Sequence, residues 1–408
     1  MRRGRFISIA AVVLFLTLVP AAWAATRYKI LHTFTGGKDG GLVASGFTLD
    51  QSSSPYGMAS WGGAGSPCGY QSGCGVIFKL SLETNGRWRE KVLLNFTDDT
   101  GSGGYQTNLL FDSSGKLFGS TSGIDYKAYI FELTPGNGEW NFSPIYEPSG
   151  YCLVFDQAGS LYGCIGPSTG FAELSPGSGG WIYTDIWDDL CNGTCSDGSS
   201  PRAPLSWDAN GNLYGTMLFG GNPPPKCHGE GGCGTAFQMT PNGDGTWTYH
   251  VLHRFAATET DGYYPYAGLT VDAFGNAYGL TSEGGKYGTG TFFKLTPAKS
   301  GLWKETILYE FPNCLDGCVP SFTLVSDQAG NLYSSGGGGL DCGGTSCGTV
   351  FKFSPQKNGS WKYSVVHKFD GNDGAFPYGV VLDSKGNIFG TTMQGGKYNM
   401  GVAFEITP

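Results

Sequence analysis

Apolar runs of three to six residues alternate with short polar turns along nearly the whole chain, a pattern that predicts hairpins of β-strands rather than helices. In VLDSKGNIFGTT, from Val381 to Thr392, two apolar segments flank a turn with Asp first and Gly fourth, positions that suit a tight reversal. The pattern recurs at Leu109, Leu153, Leu205, Leu269 and Leu324 and, degenerate, at Phe47, giving seven copies. Each hairpin is followed by a strand such as GTVFKFSP (from Gly348), then a polar turn, then a strand opened by Trp88, Trp140, Trp181, Trp247, Trp303 or Trp361.

Four-stranded units in tandem predict an all-β, seven-bladed β-propeller, with the strand ending in the repeated Asp innermost and the Trp-led strand outermost. Six units carry the Trp. The seventh ends at Pro408 after its third strand, and YKILHTF, ending at Phe34, has the outer-strand pattern. The last blade is therefore expected to be closed by the N-terminal strand, which an open solenoid or a β-helix would not need. The unit from Asn141 to Trp181 is short, with Cys152 and Cys164 on adjacent strands, so a disulfide is expected to reinforce it.

Composition sharpens this picture. Gly is the commonest residue at 69, aromatics make up 14% and charged residues only 14%, which suits strands and turns rather than disorder. The net charge of -8 and the lack of Lys/Arg runs exclude a nucleic-acid or anionic-membrane surface. Arg2, Arg3 and Arg5, an apolar run from Ile7 to Val19, and Ala22-Trp23-Ala24 read as a secretory signal over residues 1–24. Residues 25–408 then form one propeller domain, expected to be a monomer without a membrane span.

All 12 cysteines fall into close pairs: Cys68/Cys74, Cys152/Cys164, Cys191/Cys195, Cys227/Cys233, Cys314/Cys318 and Cys342/Cys347. Behind a signal peptide these predict disulfides in an oxidising compartment; zinc is the rival, but C-x-x-C pairs and supporting histidines are scarce.

The motifs DG-x-x-P, L-x-D-x-x-G-N-L-Y-G-T-T, GG-x-x-x-x-G-T-V-F-K-L-T-P and the trailing Trp, clearest in the fifth and seventh units, resemble the GloVer tandem repeats of exported bacterial proteins. The resemblance implies an exported, repeat-built surface or secreted protein, often tethered by a C-terminal sorting segment. This chain stops at Pro408 without a hydrophobic tail, so secretion, periplasmic residence or a place in the cell envelope is expected. The resemblance brings no activity for particular residues.

Two acidic sets repeat. Asp50, Asp112, Asp156, Asp208, Asp272, Asp327 and Asp383 close the inner strands and are expected to cap turns; calcium is the weaker alternative, since D-x-x-G lacks the usual loop spacing. Asp197, Asp261, Asp316 and Asp373, with Asp39 a partial match, open D-G-x-x-P, a turn that enters the inner strand. Beside these turns lie Tyr264, Tyr266, Phe376 and Tyr378, and Tyr287 and Tyr398 occupy matching GGKY loops. Aromatic faces beside carboxylates predict a surface for a glycan, with a protein ligand the alternative. His32, His253 and His367 share one outer-strand position, and only His228 is off pattern. No catalytic motif is visible. A binding or scaffold module is thus the leading expectation, ahead of a carbohydrate lyase or hydrolase working in the central funnel and a purely structural envelope protein.

Overall fold

Each hairpin is set by its own Asp. In the computed structural model, Asp208 Oδ1 accepts the backbone N–H of Asn210 at 2.8 Å and of Asn212 at 2.9 Å. Asp50, Asp112, Asp156, Asp272, Asp327 and Asp383 accept from the same two positions. The second oxygen explains the rest of the motif. Asp208 Oδ2 receives Asn212 Nδ2 at 2.7 Å and the Tyr214 hydroxyl at 3.1 Å, and Asp272 and Asp327 bind their Asn and Tyr likewise. The Asn and Tyr of D-x-x-G-N-x-Y are therefore partners of one carboxylate. The Gly after the Tyr is dictated by packing: a Cβ on Gly279 would lie 2.4 Å from Phe293 Cζ on the next strand.

The structure describes residues 26–64, 73–103, 108–122, 128–136, 140–165, 170–188, 195–221, 227, 231–256, 258, 260–298, 301–320, 322–342 and 346–407. Their regular elements are all β-strands, forming seven antiparallel blades. Blade 1 runs outward from Thr48–Leu49 through Pro55–Ala59 and Val76–Leu82 to Trp88–Asn95. Blades 2 to 6 repeat this order. Blade 7 takes Ala375–Leu382, Ile388–Gln394 and Val402–Thr407 from the C-terminal end, and its outer strand is Arg27–Thr33, paired from Arg27↔Thr407 to Thr33↔Val402. The expected closure is observed, and the core continues across it: Leu31, Phe34, Phe389 and Ala403 of blade 7 pack with Val43, Val76 and Phe78 of blade 1.

Neighbouring blades also meet along their outer strands. The sixth residue after one blade's Trp position faces the second residue after the next blade's. At four junctions the pair is a ring stack: Tyr146 on Tyr183 (5.0 Å), Trp187 on Tyr249 (4.4 Å), Tyr309 on Tyr363 (4.7 Å) and His367 on Tyr28 (4.0 Å). Between blades 1 and 2, Leu94 and Phe142 join one apolar cluster. The other two junctions carry His32 with Glu90, and His253 with Glu305. Such stacks contribute about 1 kcal/mol each beyond their burial.

Disulfides Cys227–Cys233, Cys314–Cys318 and Cys342–Cys347 form as expected. Cys74 and Cys195 are also disulfide-bonded, and their expected partners, Cys68 and Cys191, lie outside the described residues, as does His228. The Cys152–Cys164 expectation needs correction: both are free, buried thiols. Cys164 sits opposite Tyr151, the register shifts between Tyr151 and Val154, and Cys152 turns through the left-handed region (φ 60°). Blade 3 instead keeps ordinary packing, with Leu161, Ile165, Ala172 and Leu174 buried against Ile130 and Leu153.

Candidate functional site

The inner strands do not run straight. Ser199–Pro201 and Ser206–Trp207 both pair with Leu213–Phe219, leaving a break at 202–205. Similar breaks follow Tyr263, Pro320 and Pro377. Local chemistry causes them. Pro201, Pro265, Pro320 and Pro377 have no N–H for the ladder, and in three of these blades the residue before the Pro adopts a left-handed conformation: Ser200 (φ 57°), Tyr264 (φ 57°) and Phe376 (φ 58°).

At the breaks the blades are tied to one another near the axis. Gly46 N donates to Asn108 Oδ1 at 3.1 Å, Gly268 N to Thr323 Oγ1 at 3.0 Å and Gly379 N to Ser335 Oγ at 3.1 Å. Thr216 Oγ1 donates to the Ala267 carbonyl and Thr391 Oγ1 to that of Ser45, both at 2.9 Å. These bonds surround a cavity of about 310 Å³ lined by Phe47, Asn108, Arg202, Tyr266, Phe322, Thr323 and Tyr378 from six blade or inter-blade positions.

The lining is mostly apolar. Phe322 and Tyr378 lie with ring centroids 4.6 Å apart, and Tyr266 remains 38% exposed. Arg202 is exposed and is the one charged residue among the described residues that line the cavity. Its charge reaches Tyr151 of blade 3, whose hydroxyl is pushed up mainly by burial and drawn partly back by Arg202. A cationic, aromatic centre thus sits in a chain of net charge -8.

Of the aromatic residues expected to bind a ligand, Tyr266 and Tyr378 are brought together here. Tyr264 packs its ring edge-on to Phe219 and Tyr263, and Phe376 joins the core between blades 6 and 7. Tyr287 and Tyr398 are exposed on their loops, each under its neighbouring lysine at 5.1 Å. None of these four lines the cavity.

The D-G aspartates are engaged by basic side chains of the chain. Asp261 binds His253 Nε2 at 3.0 Å, Asp373 binds His367 at 2.8 Å and Asp39 binds His32 at 3.1 Å. Asp197 pairs with Arg254 at 3.2 Å and Asp316 with Lys368 at 2.5 Å. The acidic turns therefore latch each entry loop to an outer strand, and none of these aspartates lines the cavity. The repeated His and the repeated Asp are both plain in the sequence, and their spacings of six to eight residues were the signal that they meet.

The His253 latch has a third member, Glu305 Oε2, 3.6 Å from the imidazole. Burial pushes the Glu305 carboxyl up to about 8, with the His253 charge opposing and Asp261 reinforcing the shift. Burial disfavours the charged form of His253, but the Asp261 hydrogen bond and the two carboxylates outweigh it and raise its pKa. Glu90, the equivalent residue at the junction of blades 7 and 1, is pushed up to about 7 by burial and by Asp39. A wider groove of about 720 Å³ runs along the outer strand of blade 4, but its Asp208 and Asn212 are already bonded to each other.

Several solved structures share the architecture. The chain is similar to virginiamycin B lyase from Staphylococcus aureus at 12% identity, covering 94% of this chain and 99% of that one, with a TM-score of 0.53. It is similar to a fungal alcohol oxidase of the AA5 family in complex with copper (12% identity, 94% and 76% covered, TM-score 0.57). It also resembles the extracellular domain of a hybrid two-component system from B. thetaiotaomicron (13%, 94% and 42%, 0.53). At such identities the likeness shows the fold alone. A comparison with curated proteins finds no match. The Gloeobacter/Verrucomicrobia repeat matches residues 129–339 and 225–408, the span holding the Asp-closed hairpins and latched entry loops of blades 4 to 7. The chain belongs to the Gloeobacter/Verrucomicrobia repeat family.

Proposed function

We propose that this propeller is an exported binding module whose central channel takes a ring-bearing anion, an acidic sugar of a glycan being the best fit. The observation that carries this reading is the convergence of Tyr266, Phe322 and Tyr378 with Arg202 on one cavity. Aromatic faces pack against the apolar faces of sugar rings, and a guanidinium pairs with a carboxylate in two parallel hydrogen bonds. The cavity volume is near the lower end of the ~300–1,000 Å³ typical of small-ligand sites. Among the described residues lining it there is no Asp, Glu or His, which favours binding over paired-carboxylate hydrolysis. The disulfides fit an oxidising compartment, and no helix among the described residues is long and apolar enough to cross a membrane.

The test is thermal melting and calorimetry of residues 25–408 with uronic-acid oligosaccharides and their neutral counterparts. A ligand at about 100 times its Kd adds roughly 2.7 kcal/mol to the native state. The acidic series is expected to raise Tm, and Tyr378→Ala and Arg202→Gln to abolish the rise. Binding of neither series, or binding indifferent to both substitutions, overturns the reading. Product analysis of the same mixtures distinguishes binding from turnover.

A further inference from the structure

We propose that the junction of blades 4 and 5 is a binding site for a divalent transition-metal ion, zinc being the best match, with His253, Asp261 and Glu305 as its three protein ligands. One ligand atom from each residue lies within 4.8 Å of the other two. The His253 imidazole is 3.0 Å from Asp261 Oδ2 and 3.6 Å from Glu305 Oε2. Zinc bonds of about 2.0–2.1 Å in a tetrahedron separate neighbouring ligand atoms by about 3.3 Å, a value these two distances bracket. One imidazole and two carboxylates form a borderline donor set that suits zinc better than calcium or magnesium.

Electrostatics supplies an independent argument. Glu305 Oε1 is buried without a hydrogen-bond donor, and its carboxyl adjoins that of Asp261, whose side chain is 1% exposed. A protonated His253 answers only one of these two carboxylates, and the other still needs a cation or a shared proton. The proton neutralises one of them, whereas a dication answers both. The side chains of His253 and Glu305 keep 15% and 16% exposure, which leaves an entry path from solvent.

The other junctions provide internal controls. Between blades 6 and 7 the latch His367–Asp373 recurs, but Tyr28 stands at the Glu position and stacks on the imidazole. Between blades 7 and 1 all three residue types recur as His32, Asp39 and Glu90. Among the described residues, only the blade 4/5 set gathers three ligand atoms this closely.

The test uses the whole mature chain, stripped with a chelator and then titrated with zinc or cobalt chloride at neutral pH. The wild type is expected to bind one ion tightly, to gain Tm, and to show the visible bands of four-coordinate cobalt without thiolate charge-transfer bands. Glu305→Gln, which mimics the protonated carboxyl and so preserves the fold, is expected to lose this binding, and Glu90→Gln to retain it. No binding by the wild type, unchanged affinity in Glu305→Gln, or thiolate bands each overturn the proposal. Circular dichroism of the variants confirms that lost binding is not lost folding.

Discussion

The ring of Tyr28 lies flat on that of His367, 4.0 Å away with 6° between the planes, and its hydroxyl donates to the Asp373 carbonyl at 2.6 Å. One side chain near the N-terminus thereby binds both halves of the latch that leads into blade 7. Tyr28→Ala is expected to cost about 2 kcal/mol, because it removes a half-buried ring and leaves the stack open. Tyr28→Phe keeps the stack and should cost about 1 kcal/mol for the lost hydrogen bond. Urea unfolding of the three proteins measures both. Equal stability of Tyr28→Ala and wild type would mean that the closing strand adds nothing to the ring.

Acid should loosen the hairpins. Burial alone would raise the Asp50 pKa, but hydrogen bonds from Ser52, Lys79 and Ser54 outweigh it and hold the carboxyl at about 2; Asp208 and Asp327 are lowered in the same way, chiefly by Asn212 and Asn331. A carboxylate whose folded pKa is depressed stabilises the fold above its unfolded value near 4, and this stability is lost as pH falls through the folded value. Stability contributed by these turns should therefore be complete by about pH 5 and decline toward pH 2. Asp50→Asn should flatten that acid limb by on the order of 2 kcal/mol, read from melting curves across the range.

Two glycines of the same blade should respond differently to alanine. A Cβ on Gly279 would press on Phe293 Cζ at 2.4 Å, whereas one on Gly275 meets nothing within 4 Å but must accept a φ of +78°. Overpacking is expected to cost about 2–3 kcal/mol at Gly279, and left-handed strain about 1 kcal/mol at Gly275. Denaturant midpoints decide, and the reverse order would show that the Phe293 ring can give way.

Thiol titration checks blade 3. Cys152 and Cys164 are 4% and 6% exposed, so the folded protein should leave both unlabelled and full denaturation without reductant should release two thiols per chain. Finding none after denaturation would show that the pair had joined.

The sequence reveals the ring more readily than its centre, for a physical reason. Asp208, Asn212 and Tyr214 satisfy one carboxylate within seven residues, so their chemistry is local and repeats visibly. The closing strand is legible because Tyr28 and His32 keep the spacing of an outer strand even where the Trp is missing. The channel residues depend instead on where each inner strand breaks. Tyr266 and Tyr378 stand out as aromatics, but Arg202 occupies the same offset from its D-G turn and Phe322 the next one along, and neither shares their residue type. The His–Asp latches are legible only in combination: His253 and Asp261 repeat in separate motifs, and their short spacing across the step from outer strand to following loop is what joins them.

The shared seventh blade also bears on how the protein is made. Blades 1 to 6 are each contiguous in sequence and can assemble as hairpins from neighbouring residues, with little loop entropy to overcome. Arg27–Thr33 has no such partner at hand; its ladder mate, Val402–Thr407, lies at the far end of the described sequence. During synthesis Arg27–Thr33 emerges well before Val402–Thr407 and must wait for it, holding an unpaired edge that invites pairing with another chain. The ring thus places its slowest contact and its greatest risk of domain exchange in one strand.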